Sequence, residues 1–289
     1  MSYNVAVSLK RELDDPNAPI RRFLDRRLPY WGAARAPWGA ALRQVRPLVP
    51  ATPKDGTAVP TAALGHAIVL RASWMFGPLT LGSLADGASL LADHGADREV
   101  LDGVLEILAA WVPEDRRRAA AVSWYAGLMD RAQRTGRGDD PTTAAMVGID
   151  GLDDLLAAVP APWVADISAV ARLAEDALES LADPSARVRV PMPGCAAFGG
   201  AEADLIASGT LVDLSATASS KARARDLEQL VVLALLDADD TLGLTDVAVA
   251  PLRFGALVQW DLDGLLSELA GSDVGLADIR GDLAEHLGG

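Results

Sequence analysis

Among its 289 residues the chain has one cysteine, few aromatics and no long apolar run, and each scarcity removes a class of protein. A single thiol can build neither a disulfide framework nor a thiolate zinc cage. Cys195, in Pro191-Met192-Pro193-Gly194-Cys195 and without a spaced histidine partner, reads as a buried structural thiol. The three histidines, His66, His94 and His286, lie far apart and show no zinc spacing. His66, on an apolar helical stretch, reads as a satisfied buried group rather than a catalyst. Neither Gly-x-x-x-x-Gly-Lys-Ser/Thr nor Gly-x-Gly-x-x-Gly occurs, so those modes of nucleotide binding have no support. No apolar run approaches the roughly 18 residues that span a membrane. The start, MSYNVAVSLKRELDD, is interrupted by charges as a signal peptide is not. The expectation is a cytoplasmic protein without a membrane partner. Aromatics make up only 5% of the chain yet include seven tryptophans, so bulky packing is concentrated in a few anchors.

Positive charge is also scarce. The net charge of −14 argues against a sequence-independent nucleic-acid binder, which carries a basic surface. Its distribution is uneven. Residues 1–50 hold nine Lys and Arg against four Asp and Glu, or +5, so the remainder carries 17 minus 36, or −19. Such a basic arm can contact phosphate, dock on its own acidic body, or meet a protein partner.

Along the chain, residues 10–28 carry Ile20, Phe23, Leu24 and Leu28 at helical spacing. An irregular stretch punctuated by Pro29, Pro37, Pro47, Pro50, Pro53 and Pro60 follows, which Trp31 and Trp38 pin to the body. Helices are expected over about 62–75, 79–92, 98–111, 113–134, 142–158 and 163–182, with the clearest surface loop at 135–141. Near Asp183-Pro184 the period shifts from 3.6 to 2 residues. Strands are expected near 187, 204, 213, 247 and 257, with helices at about 221–237, 262–269 and the C-terminus. The fold class is therefore α/β in the α+β sense, a mixed sheet flanked by helices in the C-terminal third and packed on a largely α-helical N-terminal region. The expected division is a basic, Pro-rich arm (1–60), a helical region (61–183) and a sheet-bearing region (184–289). The last two form one body if residues 61–76 supply a helix to the sheet.

The chemistry concentrates in residues 199–237. In Glu202-Ala203-Asp204-Leu205-Ile206 and Leu211-Val212-Asp213-Leu214-Ser215, acids alternate with apolar residues. Strand alternation puts Glu202 and Asp204 on one face, and Ala207-Ser208-Gly209-Thr210 suits a hairpin loop. Converging Asp204 and Asp213 suit a hard cation such as Mg²⁺, with Glu202 the third candidate ligand. Asp237, Asp239 and Asp240 lack the glycine and glutamate of a calcium loop and instead end a helix.

At these residues the chain resembles the PD-(D/E)XK nuclease superfamily, its RecB-like branch above all. The resemblance covers residues 187–268 and, more weakly, 60–76. It implies a first acid at Asp204 or Glu202, the Asp of Asp-x-Lys at Asp213, and the helix glutamine at Gln229. It also marks three departures: Ser215 stands at the lysine position, Leu233 where the helix tyrosine often falls, and Val69 where an early helix usually carries an acid. In that family the lysine's ammonium orients the attacking water or offsets developing charge, and losing such a donor reduces rate by about 10²–10³. Lys221 is the candidate substitute, its stem reaching back toward Asp213. Lys221, Arg223 and Arg225 otherwise form a solvated or phosphate-contacting basic face. The resemblance implies a nuclease-like protein of DNA processing or defence with an eroded Mg²⁺ site, acting as a non-catalytic binding or scaffold subunit. An active Mg²⁺-dependent nuclease using Asp213, Lys221 and Gln229 is the alternative, and a helical regulatory protein with coincidental acids a third reading.

Overall fold

The computed structural model describes residues 9–49, 61–110, 114–137, 146–149, 151–198 and 200–288. Four short helices open it: α1 (Leu9–Asp14), α2 (Pro19–Arg27), α3 (Trp31–Ala34) and α4 (Ala36–Gln44). The single helix expected over 10–28 is thus two, parted by a turn in which the Asp15 carboxylate accepts from the Asn17 N–H. Among the described residues 29–49, the stretch expected to be irregular is largely helical. Pro37 falls in the first turn of α4, where its missing N–H has no intrahelical partner to lose. Trp31 and Trp38 are buried anchors. Pro50, Pro53 and Pro60 lie outside the described residues, as do the end of the 98–111 helix and most of the 135–141 loop.

Six further helices follow among the described residues: α5 (Thr61–Trp74), α6 (Gly82–Asp93), α7 (Arg98–Ala109), α8 (Arg116–Thr135), α9 (Leu152–Ala158) and α10 (Ala161–Ala177). Of the helix expected over 142–158, only Leu152–Ala158 is helical among the described residues. Asp97 and Asp115 cap α7 and α8 by accepting from first-turn N–H groups. No single helix among the described residues is long and apolar enough to cross a membrane.

The sheet has five strands in chain order: β1 (Arg187–Pro191), β2 (Glu202–Ala207), β3 (Thr210–Ser215), β4 (Asp246–Pro251) and β5 (Val258–Asp261). Strands β1 to β3 form an antiparallel meander, β3 and β4 are parallel, and β5 returns antiparallel. A parallel pair requires a crossover, here the helix α11 (Ala224–Leu236); α12 (Leu262–Ala270) and α13 (Leu276–Gly288) close the chain. The α+β class expected from the switch of periodicity is the one observed.

The hairpin loop is tighter than four residues. Ala207 pairs with Thr210, leaving Ser208 (φ 49°) and Gly209 (φ 77°) as its two central residues. Two successive positive φ values are the turn that matches strand twist.

Each face of the sheet carries its own apolar cluster. Leu205, Ala207, Val212, Leu214, Ala248 and Ala250 pack with α5 to α8 and α10. Ile206, Leu211, Val247 and Val249 pack with α11 to α13 and the N-terminal helices. Alternation slips once. Ala203 joins the cluster of Ile206 rather than that of Leu205, although strict alternation would put Ala203 and Leu205 on one face. Opposite this slip, on β1, Arg189 has φ 50°, a conformation sparsely populated by non-glycine residues.

Candidate functional site

A cleft of about 640 Å³ opens between α5, α8 and the sheet. Helix α5 contributes Gly65, His66, Val69 and Ser73, α8 contributes Asp130 and Arg134, and the strands contribute Arg189, Asp204, Asp213 and Ser215. The segment after β3 and the start of α11 add Ala216, Thr217, Arg223 and Asp226.

Its floor comes from strand register. The pairing of β2 with β3 runs from Ala207–Thr210 to Leu205–Val212, and Asp204 and Asp213 are the residues just beyond its end. An Asp204 carboxylate oxygen accepts the Leu214 N–H at 3.0 Å. Burial raises the Asp204 carboxyl above its ordinary pKa, against the lowering effect of that backbone hydrogen bond. Asp213 is raised to about 8, first by burial and then by the charges of Asp204 and Asp226. Burial and a neighbouring carboxylate both disfavour the charged form.

One wall is a hydrogen-bonded network centred on Asp130. His66 Nδ1 lies 2.6 Å from Asp130 Oδ2, which also accepts from Arg134 Nε at 2.7 Å. Arg189 Nη1 lies 3.0 Å from Asp130 Oδ1. Burial alone would raise Asp130. The His66 hydrogen bond and the charges of Arg134 and Arg189 outweigh it and hold the carboxyl well below its usual range. An ionised carboxylate only accepts, so His66 Nδ1 carries the proton in this contact. Arg189 Nη2 also pairs with Glu202 Oε2 at 2.7 Å, while Ser83 Oγ–H donates to Glu202 Oε1 at 3.4 Å.

Arg253 closes one end of the cleft. It makes a bidentate pair with buried Asp166 at 2.9 and 2.7 Å, and donates to the carbonyls of Ala216 and Leu48. The segment after β3 is thereby tied to α10.

Of the candidate metal ligands, Asp204 and Asp213 both line the cleft. Glu202 stands apart from them, both its oxygens engaged by Arg189 and Ser83. Val69 and Ser215 line the cleft. Lys221 precedes α11 rather than opening it, is exposed, and lines a different depression with Gly32, Arg35 and Arg43. Gln229 and Leu233 lie on α11 and are not among the cleft-lining residues. Arg225 is engaged by Asp14 and Glu228. Cys195 is buried and its thiol is pushed up to about 11, as expected of an inert structural sulfur. Asp237 ends α11, its carboxylate accepting from the N–H groups of Thr241 and Leu242.

The donor set falls short of what a resident Mg²⁺ needs. Such an ion needs six oxygens in near-octahedral array, several of them commonly water. Asp204 has one oxygen committed to the backbone, Glu202 is held by Arg189, and Val69 offers no oxygen. No group of three or more His, Cys, Asp or Glu among the described residues is arranged to hold a metal ion. The residues present do not fit a resident divalent cation.

The residues missed in the sequence are His66 as a cleft residue, Asp130 and Arg189. A signal existed. Asp130 follows the apolar run Ala119–Met129, and a lone acid on a buried helical stretch has to find partners. The comparisons with known proteins add no relative: no family model, curated protein or solved structure matches this chain.

Proposed function

We propose that this chain is a nuclease-like protein of nucleic-acid processing or defence whose divalent-metal site is eroded, and that it acts by binding or scaffolding rather than by cleavage. One observation carries the reading. The two positions where phosphodiester hydrolysis would need charge, Val69 and Ser215, line the same cleft as the Asp204–Asp213 pair with neutral side chains. An ammonium on β3 would stabilise charge developing on the scissile phosphate, whereas a hydroxyl supplies one neutral hydrogen bond. Lys221, the candidate substitute, lines another depression, which weakens the reading of an active enzyme. The cleft's cations are also spoken for: Arg134 and Arg189 by Asp130, Arg223 by Asp226, and Arg253 by Asp166. That pairing favours a discrete partner over broad contact with phosphate.

The test compares purified wild type, Ser215→Lys, and Ser215→Lys combined with Val69→Glu on DNA and RNA with Mg²⁺ or Mn²⁺. The expected result is no metal-dependent cleavage by wild type and measurable cleavage by the double variant. Robust wild-type cleavage that Asp213→Ala abolishes would overturn the reading.

A further inference from the structure

A second depression, of about 480 Å³, lies where the N-terminal arm meets the segment leading into α11. Its charged lining is all of one sign: Arg35, Arg43 and Lys221, set among Gly32, Gly39 and Ser220. Among the described residues no carboxylate lines it, and none pairs with any of the three cations. The chain holds 40 Asp and Glu against 26 Lys and Arg, and in the large cleft each arginine meets an acid. Here like charges are gathered without a counter-ion, at a cost in free energy that a bound anion would offset.

The arm places two of the three. Arg35, Gly39 and Arg43 recur every four residues, so they share one face of α4 and its N-cap. A Cβ on Gly39 would lie 3.3 Å from Arg43 Nη1, so the Arg43 guanidinium lies back along the helix over Gly39, toward Arg35. The glycine leaves that room at some expense in helix propensity. Arg35 is held by neutral groups. Its Nε donates to the Trp31 carbonyl at 3.1 Å and its Nη1 to the Ala222 carbonyl at 3.3 Å. These bonds fix the guanidinium without cancelling its charge and leave further N–H donors of the fork unspent. They also bring the segment before α11 alongside the arm, and Lys221, the neighbour of Ala222, adds the third charge.

We infer that this depression binds a single phosphomonoester, held by Arg35, Arg43 and Lys221. A nucleic-acid backbone spreads one charge per phosphate along its length and is met by a basic stripe. Three cations around one depression instead match a group that concentrates about two negative charges and three acceptor oxygens, which a guanidinium fork can take in bidentate fashion. The volume is within the range of small-ligand sites. The group is either the terminal phosphate of a nucleic-acid strand or that of a small phosphorylated molecule. The inference stands on this depression alone, whatever the chemistry of the large cleft.

Fluorescence anisotropy with a 3′-labelled short oligothymidylate, with and without a 5′-phosphate, tests it beside titration calorimetry with inorganic phosphate at matched ionic strength. The expected result is saturable one-site binding of a phosphate probe to wild type. A phosphorylated strand that binds more tightly than inorganic phosphate assigns the group to a strand end, and the reverse order assigns it to a small molecule. Arg43→Ala and Lys221→Ala each remove a charge-assisted contact, so each should weaken binding about tenfold. Arg22→Ala, which removes the same charge from an exposed position on α2, should leave it unchanged. Arg43 and Lys221 are exposed, so their loss spares the fold, which circular dichroism checks. Should Arg43→Ala misfold, Lys221→Glu, a charge reversal at an exposed position, should abolish binding by itself. Failure of both phosphate probes to bind folded wild type overturns the inference, as does a loss in Arg22→Ala equal to that in Lys221→Ala. Saturable binding of the 5′-hydroxyl strand as tight as that of the phosphorylated one also overturns it.

Discussion

Asp213 is the residue where the fold works against itself. Its carboxyl is raised from 3.8 to about 8 by burial and by two neighbouring acids. An acid with a raised folded pKa binds more protons folded than unfolded between those values, so stability falls as pH rises through that window. Asp213→Asn removes the penalty. The expected outcome is a Tm higher than wild type by a few degrees around pH 8, with the difference vanishing near the acid end of the window. A thermal melt across pH measures it, and an equal effect at both ends would show that the carboxyl is not the cause.

At the scale of elements, the crossing of α5 and α8 positions His66 against Asp130, and one glycine permits the crossing. A Cβ at Gly127 would lie 2.6 Å from the Ala67 nitrogen and 2.9 Å from the Ala63 carbonyl oxygen. His66 lies between Ala63 and Ala67 on α5, and Asp130 three residues after Gly127 on α8. Gly127→Ala is expected to force the helices apart, lengthen the 2.6 Å His66–Asp130 contact, and destabilise the protein by about 1–3 kcal/mol, as overpacking does. Chemical denaturation reads the second effect, and the histidine's NMR signals read the first. This contact also marks where sequence reading stopped. Strands were legible because period-2 alternation is local, and that Asp204 and Asp213 line one cleft was within reach of alternation plus a short loop. The partnership of His66 with Asp130, and of Arg189 with both Asp130 and Glu202, depends on helix packing between segments distant in sequence. The slip of alternation opposite Arg189 is invisible to a pattern that assumes perfect alternation. Lys221, expected at the start of the helix, precedes it: the helix begins three residues later, at Ala224, and the side chain lines a different depression.

At the scale of the whole molecule, the described part of the basic arm, residues 9–49, packs onto the body. Ile20, Phe23, Leu24, Leu28, Trp31 and Trp38 are buried in the cluster beneath the sheet's second face. Several arm charges meet the acidic body directly. Arg21 pairs with Glu228 at 2.9 Å, Arg27 pairs with Asp282, and Asp14 pairs with Arg225. Ion pairs as exposed as that of Arg27 contribute little and are screened by salt, whereas burying a large apolar side chain is worth roughly 1.5–3 kcal/mol. The arm is therefore expected to stay docked at high salt. Limited proteolysis around molar salt should leave residues 9–49 protected to the same degree as at low salt, with Phe23→Ala, which removes a fully buried ring at a cost of about 3–5 kcal/mol, exposing them. Cleavage within the arm that appears on adding salt alone would show that charge rather than apolar burial holds it, and would return its arginines to the pool available for phosphate.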